Sequence, residues 1–329
     1  MLTSSVVVAA PVNQIKVHFI DVGQADSILV QSAGGKYMLI DAGNNGDGKT
    51  VVDYLKKQGV KKLDYLVLTH PHEDHIGGAD NVINAFQIGT VYMPKATTTT
   101  ATFEDVVNAM KAKNLKATMP VPGTKFKLDK AECTILAPIG SEYEDMNNYS
   151  IAIRMTFDKT SFLFMGDAES VSEAEILKKK YTVKSDLIKV GHHGSESSTS
   201  AAFLKAVAPK YAVISVGVDN DYEHPHKVTM DRLKTAGVKV YRTDESKTIV
   251  CTSDGKALAF SCKPGSYKYN DGDKKTSSAP ADNPVVYYTK SGKSYHYSKD
   301  CPTLSRSKNI LQGKLSESGK TDPCDKCVK

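Results

Sequence analysis

Three histidines and two acids fall within six consecutive positions of the stretch LTHPHEDHIGG, residues 68–78. His70 and His72 are two residues apart, so their side chains point the same way in an extended segment. Asp74 and His75 follow on the predicted turn. Neutral imidazoles and a carboxylate are good ligands for zinc, manganese or iron, and a bound dication offsets the cost of burying them together. The cluster therefore predicts a metal site rather than an exposed loop that happens to be rich in histidine.

Seven of the nine histidines fall in three clusters, which read HPHEDH, HH and HPH and comprise His70, His72, His75, His192, His193, His224 and His226. Each cluster lies just beyond a predicted strand, and so does Asp167 in FLFMGDAE. If those strands are neighbours, the loops open at one edge of a rigid sheet, where sites commonly form. An aspartate after a glycine is ordinary turn chemistry. Beside three histidine loops, Asp167 is instead a candidate bridge between two metals about 3.5–4 Å apart.

The elements that must position these side chains follow from hydrophobic periodicity and turn residues. Strands are predicted at 15–21, 26–31, 36–41, 64–69, 89–93, 150–157, 161–165, 185–190, 210–216, 238–242, 247–252 and 256–262, with further β segments within 115–137. Helices are predicted at 49–59, 103–113, 170–180, 200–208 and 228–236. This order predicts an α/β fold in which two sheets form a sandwich with helices outside.

Several stretches together resemble a known family. HxHxDH at 70–75, the later GD that ends at Asp167, and HHGS at 192–195 are similar to the metallo-β-lactamase superfamily. More narrowly, DVGQADSILV, LIDAG, LTHPHEDHIGG, NNYSIAI, FMGDAE, KVGHHGS and HPH resemble the soluble hydrolase domain of ComEC-type DNA-uptake competence proteins and its free-standing relatives. The likeness covers about residues 15–262. It implies an αββα sandwich with a dinuclear metal site at the sheet edge.

Carried over by position, the resemblance implies two divalent cations, zinc or manganese, held by six side chains: His70 and His72 on the first, Asp74, His75 and His193 on the second, and Asp167 bridging both. His192 is left to face the substrate, although the reverse assignment of the two adjacent histidines stays open. Many members supply a further histidine before the GD aspartate, but residues 76–147 contain none. Water or substrate would then complete the first site, and an open position of this kind is catalytically useful.

The expected chemistry follows from the ions. Paired cations lower the pKa of a water molecule and neutralise charge on the attacked and leaving oxygens. Phosphodiesters suit such a site better than carboxylic esters, because their transition state spreads negative charge over several oxygens. Asp74 is a candidate proton acceptor. His192, His224 or His226 would protonate the leaving alkoxide or bind phosphate, although HPH is also a reasonable structural turn.

Three polar residues are further candidates for contact with substrate. Asn148 and Ser150 resemble family positions near the site, where they would give polar support. Glu169, on the Asp167 loop, is expected to limit the depth of the pocket.

Length and charge bound the domain organisation. The 329 residues are 40% hydrophobic and divide into an N-terminal extension (1–14), a hydrolase body (15–262), a linker (263–284) and a small tail module (285–329). No run approaches the roughly 18 apolar residues that cross a membrane. The short apolar stretch at 4–14 favours a secreted or cell-surface location over a cytoplasmic one, without deciding it. Residues 263–329 hold 13 Lys or Arg against 7 Asp or Glu, which leaves 30 of each in the rest of the chain.

The tail module carries its own metal signal. Cys324-x-x-Cys327, together with Cys301 and His296, predicts a structural zinc site, and a module of this size has too little core to fold without one. The alternative is a module held together by disulfides. The spacing is similar to the small zinc domain of the Ada repair protein. The sequence also leaves open whether Cys251 and Cys262 form a disulfide.

Together these features predict a metal-dependent phosphodiesterase, with DNA as the first candidate substrate and another phosphodiester polymer as the second. The zinc module, with its excess of positive charge and its tyrosines, is expected to help bind the polymer. Two alternatives stay open: a hydrolase of small or cell-wall phosphodiesters that resembles phosphorylcholine esterases, and a non-catalytic protein that binds DNA or an envelope component. The sequence does not determine the oligomeric state.

Overall fold

The computed structural model describes residues 13–269 and then, further along the chain, residues 285–290, 292–296, 299, 301–304, 307, 309–314, 318–320 and 322–324. The chain divides into two compact units, Met1–Gly272 and Asp273–Lys329. Most of the predicted N-terminal extension, residues 270–284 of the predicted linker, and Cys327 lie outside the described residues.

Two mixed sheets form the first unit. The first sheet has the spatial order β15-β14-β1-β2-β3-β4-β5-β6. Its strands are β1 (Ile15–Phe19), β2 (Ile28–Ser32), β3 (Tyr37–Ile40), β4 (Lys62–Val67), β5 (Gln87–Tyr92), β6 (Ala117–Thr118), β14 (Ile249–Ser253) and β15 (Leu258–Phe260). The strands from β15 to β3 pair antiparallel, and those from β3 to β6 pair parallel.

The second sheet has the order β13-β12-β11-β10-β9-β8-β7. Its strands are β7 (Lys125–Leu128), β8 (Ala131–Ile135), β9 (Ile153–Phe157), β10 (Thr160–Phe164), β11 (Leu187–Lys189), β12 (Tyr211–Ile214) and β13 (Lys239–Arg242). Strands β10 to β13 run parallel and β7 to β10 antiparallel.

Helices cover the outer faces of both sheets. They are α1 (Gly48–Lys57), α2 (Glu73–Ile76), α3 (Ala79–Ala85), α4 (Ala101–Ala112), α5 (Ser170–Lys178), α6 (Ala201–Val207), α7 (Lys227–Thr235) and α8 (Thr243–Ser246). One apolar cluster draws its side chains from the inner faces of both sheets, a second joins the first sheet to α1–α4, and a third joins the second sheet to α5–α7. The predicted two-sheet sandwich with outer helices is therefore confirmed.

The alternation of inward and outward side chains explains the paired layers. In β9, Ile153, Met155 and Phe157 are buried while the two intervening residues are only partly so. Such period-two burial is expected of a strand with one face toward a core. By contrast, all three residues of β11 are buried, as expected for a parallel strand that is covered on both faces.

The sequence did not predict α2 and α3, which follow the first histidine cluster where only a turn was expected. His72 is the N-cap residue of α2, so Asp74 and His75 stand on a helix rather than on a loop. The glycine pair after them is needed for packing: a Cβ on Gly77 would lie 2.2 Å from the backbone of Asn44, and one on Gly78 would lie 2.4 Å from the carbonyl oxygen of Ala42. Glycine is required at both positions because the backbone of residues 42–44 comes too close to leave room for a side chain.

Residues 263–269, placed in the linker by their composition, pack against the body. The amide of Gly265 donates to the carbonyl of Val240, and the Tyr267 hydroxyl donates to the carbonyl of Val238 at 2.6 Å. Tyr267 and Tyr269 also contact the third apolar cluster. Two aromatic rings in an otherwise polar segment provide this anchor.

The second unit contains a sheet of four short strands in the order β18-β16-β17-β19. These are β16 (Val285–Tyr288), β17 (Ser294–His296), β18 (Leu311–Lys314) and β19 (Asp322–Pro323). Its apolar cluster contains the buried residues Cys301, Leu304 and Cys324, with Tyr287 and Ile310 packed against them. Within the described part of the chain, none of the helices has the length and apolar character needed to cross a membrane. Cys251 and Cys262 are free thiols.

Candidate metal centre

A cavity of about 330 Å³ opens where loops of the two sheets meet. Six residues named from the sequence line it: His72, Asp74, Asp167, His192, His193 and His224. Asp74 lies on α2, which follows β4 of the first sheet, and Asp167 lies on the loop that follows β10 of the second sheet. The predicted convergence of separate histidine clusters at one sheet edge is therefore what the structure contains.

One group of four side chains could hold a cation. Asp74, His75, Asp167 and His193 each offer a ligand atom, and these atoms all lie within 4.8 Å of one another. The Nε2 of His75 lies 3.2 Å from Asp167 Oδ2, and the Nε2 of His193 lies 3.2 Å from Asp74 Oδ2 and 3.6 Å from Asp167 Oδ2. We call these four residues the second cation group.

A facing pair of ring nitrogens stands beside this group. The Nε2 of His70 and the Nδ1 of His72 are 3.0 Å apart, and the ring centroids of His70 and His75 are 4.1 Å apart. His70 is fully buried, whereas His72 is exposed. We call His70 and His72 the first cation group.

The buried atoms of the second cation group fit a metal ion. The Oδ1 of Asp167 is buried without a hydrogen-bond partner, and the buried Nε2 of His75 makes no well-formed hydrogen bond, although Asp167 Oδ2 lies 3.2 Å from it. Buried polar atoms are nearly always satisfied, so such exceptions call for an explanation, and an ion is one of the common ones. Imidazole nitrogens and carboxylate oxygens are also the donor set that zinc and manganese accept.

The ring nitrogens that face away from the cavity are held by the protein. His75 Nδ1 lies 2.8 Å from Asp41 Oδ2, and His193 Nδ1 lies 2.9 Å from the carbonyl oxygen of Ser215. Asp41 is itself fixed, because it accepts hydrogen bonds from the amide and the hydroxyl of Thr69. This arrangement turns the Nε2 atoms of both histidines toward the cavity, and such outer contacts typically orient metal ligands.

The crowded charges shift the pKa values in opposite directions. Burial by itself would raise the pKa of Asp167, but the neighbouring His75 and His193 lower it well below its ordinary value. Asp74 follows the same pattern, with His75 as its strongest favourable neighbour. Burial would lower the pKa values of His75 and His193, but the nearby carboxylates raise both, Asp167 most strongly. The positive charge that His75 and His193 can carry thus compensates the negative charges of Asp74 and Asp167 within the second cation group.

His192 and Glu169 stand on the substrate side of the cavity. The His192 side chain is 24% exposed, with its Nε2 3.8 Å from Asp167 Oδ2. Its Nδ1 lies 3.5 Å from Glu169 Oε1 and 3.2 Å from Ser197 Oγ. Glu169 thus contacts His192 rather than the cavity floor, and its hydrogen bond with His192 lowers its pKa.

Asn148 and Ser150 are buried behind the cavity instead of lining it. The Asn148 amide donates to Glu169 Oε2 at 3.1 Å. The Ser150 hydroxyl oxygen accepts from the backbone amide of Asp167 at 3.0 Å and lies 3.3 Å from His70 Nδ1. Both residues therefore fix other site residues, which agrees with polar support and not with direct substrate contact.

The two histidines of HPH go to different places. His224 is buried, lines the cavity, and lies 3.2 Å from the side-chain amide of Gln24. Burial and the neighbouring histidines lower its pKa to about 3. His226 is not among the cavity-lining residues: its Nδ1 accepts from the Glu196 amide, and its Nε2 faces the Tyr222 carbonyl oxygen. His226 is the N-cap residue of α7, which corresponds to the structural alternative for this motif.

Four lining residues were not named from the sequence: Gln24, Glu73, Asn147 and Tyr222. Gln24 bridges His224 to the Gly217 amide, which donates to Gln24 Oε1 at 3.0 Å. Asn147 lies beside the Asn148 that the sequence did suggest, and its amide is 3.4 Å from His192 Nδ1. Amide and tyrosine side chains do not stand out in a search for titratable clusters. Gln24, Glu73 and Asn147 nevertheless lie inside stretches that the sequence singled out (DVGQADSILV, HPHEDH and NNYSIAI), and Tyr222 lies two residues before His224.

The second unit brings its predicted ligands together as well. His296, Cys301 and Cys324 form a group whose ligand atoms lie within 4.8 Å of one another. The two sulfur atoms are 3.8 Å apart. A disulfide needs about 2.05 Å, whereas two thiolates at about 2.3 Å from a tetrahedral zinc would be about 3.8 Å apart. The geometry thus suits a shared ion, and Cys327 lies outside the described residues.

Comparisons with known proteins agree with this architecture. The sequence matches the Metallo-beta-lactamase superfamily over residues 20–218. It is 30% identical over 267 residues to ComE operon protein 3 of Bacillus subtilis (strain 168), which covers 76% of this chain and 34% of that protein. It is 32% identical over 241 residues to Competence protein ComA of Neisseria gonorrhoeae, covering 72% of this chain and 32% of that protein. The chain thus spans about a third of the length of these relatives.

Among solved structures, the metallo-beta-lactamase fold protein YhfI from Bacillus subtilis aligns with 75% of this chain and 99% of its own, with a TM-score of 0.49 and 15% sequence identity. The sequence matches confirm the resemblance to ComEC-type hydrolase domains that the motifs indicated. Since the family match spans more than half of its residues, this chain belongs to the metallo-β-lactamase superfamily.

Proposed function

We propose that this protein is a two-metal phosphodiesterase that cleaves DNA. The observation that carries the proposal is that the first and second cation groups adjoin each other at one cavity, which His72 of the first group and Asp74, Asp167 and His193 of the second group line. Membership of the superfamily supports a metal-dependent hydrolase, and the names of the competence relatives suggest a role with nucleic acid.

For the cation ligands we keep the assignment that the family resemblance implies, and the positions of the first and second cation groups support it. His70 and His72 would hold one ion, and Asp74, His75 and His193 the other, with Asp167 between them. Two bound divalent cations would supply a water of lowered pKa and would neutralise charge that develops on the phosphoryl oxygens. Of the two adjacent histidines, His193 is the better ligand because it is buried and aimed at Asp74, whereas His192 is partly open to the cavity.

The remaining roles fall to side chains at the cavity surface. Asp74, whose side chain is 30% exposed, would accept a proton from the attacking water. His192 would protonate the leaving oxygen, since its Nδ1 is engaged by Glu169 and Ser197 and its Nε2 faces the centre. His224 is neutral near pH 7 because of its low pKa, so it would donate a hydrogen bond to phosphate rather than a proton.

We propose that the second unit holds a structural zinc ion and helps bind the polymer. His296, Cys301 and Cys324 offer three ligands, and Cys327 would be the fourth. The excess of six positive charges between residues 263 and 329 would attract a polyanion in a salt-dependent manner.

A second candidate has an observation of its own in favour. None of the residues that line the described cavity is Lys or Arg, and the loop that contributes Tyr222 to the cavity also carries the exposed acids Asp219, Asp221 and Glu223. Acidic groups around an aromatic ring favour a cation, which is attracted to both. A small phosphodiester with a quaternary ammonium substituent, such as a phosphorylcholine ester, is therefore the alternative substrate.

One assay series separates these proposals. The full chain is incubated with manganese, zinc or magnesium and three substrates: single-stranded DNA, bis(p-nitrophenyl) phosphate and p-nitrophenyl phosphorylcholine. We expect cleavage of DNA and of bis(p-nitrophenyl) phosphate. A chain truncated after Gly272 should lose affinity for DNA, in a salt-dependent way, while it keeps its rate on the small ester.

Each other outcome contradicts a specific part of the proposal. Hydrolysis of the small esters without DNA cleavage would exclude the nuclease, and a clear preference for the phosphorylcholine ester would favour the second candidate. A chain that binds two ions but hydrolyses none of the substrates would favour a binding protein.

A further inference from the structure

A buried ion pair joins the two sheets directly behind the second cation group. Asp26 precedes β2 of the first sheet, and Lys189 is the last residue of β11 in the second sheet. Lys189 Nζ lies 2.7 Å from Asp26 Oδ2. Asp26 is 1% exposed and Lys189 is 0% exposed, so neither charge reaches solvent.

Asp26 contacts two of the four residues in the second cation group. Its Oδ1 lies 3.6 Å from His193 Nδ1, and its backbone amide donates to the carbonyl oxygen of Asp74 at 3.0 Å. Its own carbonyl accepts from the amide of Gly43, in the loop that also contains Asp41. Asp26 thus lies between two ligands that reach the cavity from opposite sheets.

Fold stability is a poor explanation for this pair. Moving two charges out of water costs more than their attraction usually returns, and apolar residues of similar volume often serve a core as well or better. Asp26 Oδ1 is also buried without a hydrogen-bond partner, which adds to the cost. Because the Asp26–Lys189 pair costs the fold free energy and contacts residues of the second cation group, a role at that group explains its presence better than fold stability does.

We propose that the Asp26–Lys189 pair is a positioning device for the second cation: Asp26 fixes Asp74 and His193 relative to each other, and Lys189 neutralises Asp26. This inference rests on the proposed two-cation site. The pair is neutral as a unit, so it adds a rigid link between the sheets without changing the net charge that the cations meet. Neither residue contacts the substrate cavity, and both act through the ligands.

Removing one charge should differ from removing both. Asp26→Asn leaves the buried Lys189 ammonium without its counter-charge and removes the negative charge 3.6 Å from His193 Nδ1, while the backbone hydrogen bond to Asp74 is kept. The second cation would therefore lose the positioning contact at His193 and also meet an added positive charge. The double variant Asp26→Asn with Lys189→Met removes the contact but restores neutrality. Loss of an outer contact of this kind typically lowers metal affinity by about 10- to 100-fold.

The test is a chelator competition titration with manganese, combined with elemental analysis of the full chain after gel filtration. Relative to the wild type, we expect Asp26→Asn to bind the second manganese at least about 10-fold more weakly while the first ion is retained. The double variant should lie between Asp26→Asn and the wild type. As a matched control, Asp244→Asn alters the buried Arg242–Asp244 pair, which does not line the cavity, and should bind both ions as the wild type does.

The other results overturn the inference. Wild-type affinity in both Asp26 variants would remove any role in metal positioning, and wild-type affinity in the double variant alone would mean that only charge balance matters. If metal-free Asp26→Asn and the double variant both failed to fold, judged by urea unfolding beside the control, the pair would serve the fold instead. A wild-type chain that binds a single ion in the body would contradict the two-cation site itself, and the positioning role with it.

Discussion

The two candidate metal sites of this chain differ in how much apolar core surrounds them. The cation groups of the body lie at the edge of a sandwich with three large apolar clusters. The group of His296, Cys301 and Cys324 has around it one cluster in the described residues, and two of the three buried members of that cluster are the cysteines themselves. In the body, an apolar core that does not include the candidate ligands positions them. In the described part of the second unit, the candidate ligands Cys301 and Cys324 are two of the three buried members of the apolar cluster.

The difference extends to the contacts behind each ligand. His75 and His193 are held through their second ring nitrogens by Asp41 and the Ser215 carbonyl, both in the first unit. In the second unit, the Thr303 hydroxyl lies 3.1 Å from Cys301 Sγ and 3.4 Å from His296 Nδ1, within the same small group. Removal of metal should therefore unfold the second unit but leave the fold of the body intact.

The largest effect we expect is unfolding of the second unit on metal removal. A strong chelator should abolish hydrogen-exchange protection in peptides from residues 285–324, while peptides from residues 13–269 keep theirs. The physical reason is that binding free energies of about 10–16 kcal/mol are typical of structural zinc in small modules and become part of the folding free energy.

A cysteine pair provides the matched control for that experiment. Cys324→Ser should reproduce the effect of the chelator in the second unit, whereas Cys262→Ser, which alters a half-buried thiol of the body, should not. If the second unit kept its protection without metal, the contrast between the two sites would be wrong.

The next largest effect concerns Asp167. Asp167→Asn should lower the hydrolysis of bis(p-nitrophenyl) phosphate by at least about 10²–10³-fold, the loss that follows removal of a single group that stabilises developing charge. The fold should survive, because the backbone contact between the Asp167 amide and Ser150 is retained. Activity and urea unfolding of the same preparation check these two statements, and elemental analysis reports the metal content.

Asp254→Asn makes the same chemical change in an exposed turn of the body and should have no effect on activity. Asp167→Asn should also leave the metal of the second unit in place, so about one ion per chain remains. Wild-type activity in this variant would contradict the bridging role, and global unfolding would contradict the separation of fold from site.

The candidate metal ligands of the body were predictable because each belongs to a local pattern. Histidine is rare, so clusters such as HPHEDH stand out, and the end of an apolar run marks the sheet edge. The residues behind the ligands were not predictable in this way. Asp41 in LIDAG and Asp26 in GQAD resemble ordinary turn aspartates, and Lys189 resembles a solvent-facing lysine. Their roles depend on pairing between the two sheets, which no local window contains.

The pair His224 and His226 shows the same limit at closer range. The sequence suggested both as candidates to protonate the leaving alkoxide or to bind phosphate, with a structural turn as the alternative. The chain instead begins α7 directly after His226, which directs that ring to the backbone, while His224 is buried beside Gln24. Because α7 begins directly after His226, the His226 side chain does not line the cavity, where the two-residue periodicity of an extended segment would place it beside His224.

The smallest effect we expect concerns the folding stability of the body, at a residue outside the cation groups. His18 is 2% exposed on β1, and its Nδ1 lies 2.8 Å from the Tyr54 hydroxyl of α1. Burial, with a smaller contribution from Lys16, lowers its pKa to about 4. In the unfolded chain the pKa of His18 is near 6.5. Between pH 6.5 and 4, the unfolded state therefore binds a proton at His18 that the folded state does not bind. This contribution to stability is complete above pH 6.5 and is lost as the pH falls toward 4.

The shift corresponds to about 3 kcal/mol at most. His18→Gln removes the titrating group, so the stability difference between the metal-free wild type and this variant should change by about that amount from pH 7 to pH 4. Urea unfolding of both proteins at unit steps of pH measures it. Because the comparison is a difference between two chains with the same cation groups, protonation of the metal ligands cancels. A difference that does not vary with pH would mean that the buried β1–α1 contact tolerates a charged imidazole, and that acid sensitivity of the body arises at the metal centre alone.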